Sequence, residues 1–118
     1  MALRRLSLGS LLALACWACG GDELGDPTGS TCPTDSTLTY AEFGRAFFQN
    51  NCLSCHGAGR GESPTLESLD DIKANKSLID RAAAAGPDAV NTFMPEDGSV
   101  PESERRKLGE WLACDAPP

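Results

Sequence analysis

Cys52-Leu53-Ser54-Cys55-His56 gathers three side chains able to bond a metal or cofactor into five consecutive residues. Two thiols at this spacing, with an imidazole on the next residue, suit the covalent attachment of haem. The thiols add across two vinyl groups on adjacent sides of the porphyrin, and the following residue projects its ring at the iron. The motif therefore predicts one haem c attached through Cys52 and Cys55, with His56 as the proximal ligand. Two other uses of the same cysteines fit less well. A thioredoxin-like redox pair needs a βαβ setting, and only two Val and two Ile follow residue 19. A zinc site needs a fourth ligand, and no other free cysteine or histidine is conveniently placed.

His56 is the only histidine, so ligation by two imidazoles from one chain is impossible. Met1 is lost with the export signal described below, which leaves Met94 as the expected second metal ligand. A lone methionine more often fills a gap in a core. Here a His–Met pair is a standard haem arrangement and no other soft ligand exists. Lys73, Lys76 or an open iron position are the alternatives. Pro95 disfavours the α conformation at Met94, so Asn91-Thr92-Phe93-Met94-Pro95 reads as a loop.

The elements that must hold these residues read as helices. Thr39-Tyr40-Ala41-Glu42 has the form of a capping box and opens a helix to about Asn51. Tyr40, Phe43, Phe47 and Phe48 fall on one face at three- and four-residue spacing. Tyr40, Phe43, Phe47 and, from the loop, Phe93 are the residues expected to pack the cofactor. Gly44 lies beside that face, where another helix could approach closely. Gly57 to Gly61 reads as a flexible loop and not as a phosphate-binding one, since no strand precedes it. A short helix is expected near Asp70 to Ala74, and another from Lys76 to Ala85 that stops at Gly86-Pro87. Ser99, with Glu102 three residues on, is expected to cap the last helix. Leu108, Trp111 and Leu112 form its apolar stripe, Gly109 offers a second close approach, and Arg105-Arg106-Lys107 reads as a solvated face. There is no sheet and no internal repeat.

The 118 residues carry a formal charge of -7 and six cysteines, enough for one small domain. A basic start, an apolar run from Leu6 to Ala15 and small residues before Cys16 and Cys19 describe a bacterial export signal of lipoprotein type, too short to span a membrane. Cys19 is the preferred lipidated residue because Gly-Gly-Asp-Glu follows it, with Cys16 as the alternative. The 100 residues from Cys19 carry a charge of -9 and only 16 Leu, Ile, Val and Phe. Such a composition alone points to disorder, so the core needs a staple or cofactor. Acidic character excludes nucleic acid and anionic membrane surfaces as partners. Export favours pairing of the remaining cysteines, Cys32 with Cys114, which stabilises by about 4 kcal/mol in the chain-entropy view. The expected organisation is a signal at 1–18, a flexible tether at 19–37 and a folded domain at 38–115.

Through Cys52-Leu53-Ser54-Cys55-His56, Met94-Pro95 and Leu108-Gly109-Glu110-Trp111-Leu112, residues 36–114 resemble class I monohaem cytochromes c. More narrowly, they are similar to small lipoprotein-type cytochromes c of Gram-negative bacteria, particularly myxobacteria. The resemblance implies an all-α cytochrome c fold, with about four helices wrapped around one covalently bound haem c. It also implies that the first and last helices cross, with Gly44 and Phe47 on one side and Leu108 and Trp111 on the other. An exposed haem edge would serve electron exchange. The Cys32–Cys114 pair departs from common cytochromes, and the interval from His56 to Met94 is short for the family.

The expected function is single-electron carriage in a periplasmic or membrane-associated chain, by a monomer that is not an enzyme. The expected partner is a redox protein with a basic docking patch, and the membrane is met only through a lipidated cysteine. Two rivals are a ligand sensor or peroxidase-like enzyme with displaceable Met94, and a binding or structural module in which haem is chiefly a staple.

Overall fold

The computed structural model describes residues 24–118, and five short α-helices make up its regular structure. The export signal, Cys16, Cys19 and the first residues of the expected tether lie outside the described residues. A π-helical turn, Tyr40–Gly44, runs directly into α1, Arg45–Asn51. Then come α2, Leu53–His56, α3, Leu69–Ala74, α4, Lys76–Ala83, and α5, Glu102–Ala113. No sheet occurs among the described residues, and extended pairing is confined to a single bridge between Ala85 and Val90. None of these helices is long and apolar enough to cross a membrane.

The helix starts follow local chemistry. Thr39 accepts from the Glu42 N–H at 3.1 Å, half of the capping box its sequence suggested. The Thr39 carbonyl receives both the Phe43 and the Gly44 N–H, which widens the first turn. At α3 the reciprocal box is complete. The Ser68 hydroxyl accepts from the Asp71 N–H and the Asp71 carboxylate accepts from the Ser68 N–H. At α5 the expected Ser99 cap is not used. Pro101 holds the cap position, while the Ser99 N–H donates to Asp97 in the preceding turn. α4 ends at Ala83, two residues short of expectation, because Ala84 turns extended toward the Ala85–Val90 bridge.

Trp111 is the centre of the core. It is fully buried, and the rings of Tyr40, Phe43 and Phe48 stand 6.2–6.3 Å from its own. Gly44 allows this approach, since a Cβ there would lie 2.7 Å from the Trp111 ring. The close crossing of first and last helices therefore exists, with Phe43 and Phe48 against Trp111. Phe47 packs on Phe43 and Phe48 instead. At Gly109 the close neighbours are Ser30 and the Ala85 carbonyl, so the chain before the first helix takes that space.

From residue 24 onward, the stretch read as tether is bonded to the helices. Gly25 exchanges hydrogen bonds with Arg81, Thr28 donates from N–H and hydroxyl to Asp80, and Ser36 donates to Glu110 at 2.6 Å. The Cys32–Cys114 disulfide joins this strap to the end of α5. The basic cluster on α5 divides. Arg106 and Lys107 pair with Glu102 and Glu104 on the surface, whereas Arg105 is buried, contrary to the solvated face expected of it. Its place three and seven residues before Leu108 and Leu112 puts it on the apolar stripe.

Candidate functional site

His56 ends α2, a helix of four residues that begins immediately after Cys52. Its ring is half-buried, and its Nδ1 lies 2.8 Å from the Pro64 carbonyl. A carbonyl can only accept, so the proton sits on Nδ1 and the Nε2 lone pair is left for a metal. The loop that supplies Pro64 is itself tied down. Leu66 N–H donates to the His56 carbonyl at 2.8 Å, and the Glu67 carboxylate accepts from the Ala58 N–H at 3.0 Å. An oriented imidazole with a free Nε2 is what metal ligation requires.

Met94 sits in the loop between Val90 and α5, half-buried against the hydrophobic core. Its N–H donates to Ala82 and its carbonyl accepts from Arg105 at 2.7 Å. Arg105 is the residue the sequence did not single out. Its Nε donates to the Val100 carbonyl, and its Nη1 also meets the carbonyls of Ala83 and Asn91. Desolvation pulls its pKa below the ordinary arginine value. Nη2 is buried without a hydrogen-bond partner.

The candidate packing residues are spread over several surroundings. Phe43 and Phe47 are buried and line a cavity of about 440 Å³ together with Val100, Pro101 and Glu104. Cys52, Cys55, His56 and Met94 do not line that cavity. Tyr40 is half-buried on Trp111, with Arg45 above its ring, and Phe93 is 48% exposed. Tyr40, Cys52, Leu53 and Met94 all pack against one hydrophobic cluster that contains Phe43, Phe47 and Trp111.

The expectation of haem c bound covalently through Cys52 and Cys55 is corrected here. The cysteine cross-link of the structure is the long-range disulfide Cys32–Cys114, which spans 82 positions, while Cys52 and Cys55 are free thiols. The two thiols also stand in unlike surroundings. Cys52 is set against the core, where burial pushes its pKa up to about 12, and Cys55 is exposed. A thiol held protonated is a poor nucleophile, so the two do not form a matched reactive pair.

His56 and Met94 carry donor types that a haem iron takes. His56 offers an oriented nitrogen, Met94 offers a soft thioether on the core, and the orphaned Arg105 Nη2 offers a buried donor to an anionic group. Among the described residues, no cluster of three or more His, Cys, Asp or Glu gathers to hold another kind of metal ion.

The family described as Cytochrome C oxidase, cbb3-type, subunit III matches residues 40–112, more than half of the chain, and the chain belongs to that family. The match runs from the π-helical turn through α5 and contains His56, Met94 and Arg105. It places the protein in a haem-related respiratory or electron-transfer setting. No curated protein and no solved structure matches the chain.

Proposed function

We propose that this member of the cbb3-type oxidase subunit III family is a single-electron carrier whose His56 and Met94 are the two axial ligands of a haem iron. The observation that carries the reading is the Pro64 carbonyl holding the His56 Nδ1 proton, which leaves Nε2 directed to ligation. No bond to Cys52 or Cys55 is invoked. A bound haem supplies a one-electron Fe(III)/Fe(II) couple, and a thioether ligand favours its reduced state relative to two imidazoles.

The chain's own residues set the conditions for that couple. His56 and Met94 would hold the iron between them, which would leave no open position for a small ligand. Phe93 stands exposed beside Met94, where a partner could approach. In this reading the domain is not an enzyme, because no second histidine exists to assist bond-making chemistry. More narrowly, we propose a class I monohaem cytochrome of the exported, lipid-anchored type, acting as a monomer. Its charge of -9 from Cys19 onward favours a partner with a basic patch and an on-rate that falls with salt.

The experiment is Met94→Ala in the purified haem protein, followed by addition of carbon monoxide and cyanide. The parent is expected to show no spectral change with either ligand, and the variant to bind carbon monoxide when reduced and cyanide when oxidised. A variant spectrum identical to the parent's would show that Met94 is not a ligand.

A further inference from the structure

We infer that Arg105 is a positioning residue that holds the Met94 loop in place and thereby keeps Met94 on the iron; this rests on the ligation proposed above. One guanidinium contacts four carbonyls from separate points of the chain. Ala83 lies at the end of α4, at 2.8 Å, and Asn91, Met94 and Val100 mark the start, middle and end of the loop, at 3.0, 2.7 and 3.0 Å. The loop has no helix of its own, and its remaining ties to α4 and the residue after it are the Asn91 N–H to Ala84, the Asn91 side-chain amide to the Asp80 carbonyl and the Met94 N–H to Ala82. Met94 is thus pinned through both amide and carbonyl, and Arg105 makes half of that clamp.

A buried cation is costly to desolvate, and its removal would leave four carbonyls without this donor. What it provides here is a planar fork that satisfies several carbonyls at fixed angles, which a lysine ammonium cannot reproduce. α5 is seated in the core through Trp111 and Leu108. Arg105 links that rigid helix to the segment carrying the proposed ligand.

The test compares the haem-loaded parent with Arg105→Gln and Arg105→Lys by amide hydrogen exchange and by imidazole binding to the ferric protein. Loss of hydrogen bonds from a charged donor is expected to speed exchange at Met94 and Asn91 by about tenfold or more in Arg105→Gln. Amides in α5 should stay protected, and imidazole should bind at correspondingly lower concentration. Arg105→Lys should fall between parent and Gln variant, and it is read alone by the same criterion if the Gln variant does not fold. Variants with protected α5, parent-like exchange at Met94 and Asn91, and continued exclusion of imidazole would overturn the inference. A parent that itself binds imidazole at once defeats the Met94 ligation and the inference with it, whereas a ligand-excluding parent with unaltered variants defeats the inference alone.

Discussion

Cys52 and Cys55 are three positions apart and differ in almost every physical respect. One lies against the aromatic core and the other faces solvent. Iodoacetamide is therefore expected to label Cys55 readily in the folded protein and Cys52 only after unfolding, as read by peptide mass. A protein whose Cys52 and Cys55 both resist labelling after unfolding and reduction has those sulfurs bonded elsewhere, which would contradict their being free thiols. The raised pKa of Cys52 also gives a sign for alkaline pH. Ionisation of an unfolded thiol begins near its ordinary value of 9.0, while the folded thiol resists until about 12. The resulting stability is complete below about pH 9 and is lost as pH climbs through that window, which a urea titration at several pH values measures. At this scale the sequence marks His56 and Met94 by residue type, and their ligation is the proposal that Met94→Ala tests. It was a poor guide to Arg105, because three adjacent cations read as a solvated face. The signal that finds Arg105 is its spacing to Leu108 and Leu112.

Helix starts show how far local pattern reaches. Ser68 is a true cap although its partner at the third position is Asp71 rather than the longer Glu of the usual box. Ser99 has the template and caps nothing, because Pro101 occupies the cap position. Ser68→Ala is expected to cost about 1 kcal/mol and Ser99→Ala almost none, measured by equilibrium urea unfolding. Equal costs would mean that both hydroxyls do the same work. Gly44 was legible as a close-approach point, and its neighbour is the Trp111 ring. Gly44→Ala forces a methyl to within 2.7 Å of that ring, so overpacking of about 1–3 kcal/mol is expected in spite of the gain in helix propensity. The identity of the aromatic partners was less legible. Tyr40, Phe43, Phe47 and Phe48 are crowded into nine residues, and the π-helical turn rotates Phe43 and Phe48 toward Trp111 in a way that regular helical spacing does not anticipate.

Across the whole domain apolar side chains are in short supply, with only 16 Leu, Ile, Val and Phe in the 100 residues from Cys19. Two devices offset it. The strap from residue 24 to Ser36 is bonded to α4 and α5 by Thr28, Ser36 and backbone groups, and its composition hid this, since Gly, Thr and Pro make no periodic pattern. The disulfide then ties the strap to α5. Replacing both Cys32 and Cys114 by Ala is expected to cost about 2–5 kcal/mol in urea unfolding. A double variant as stable as the parent would show that the strap holds through its hydrogen bonds alone. A haem held by His56 and Met94, as proposed, would be the second device. The purified protein should show haem absorption that stays low-spin in both oxidation states and follows a one-electron Nernst curve as the potential is stepped. A protein without haem absorption, or one whose spectrum does not respond to potential, would contradict single-electron carriage outright.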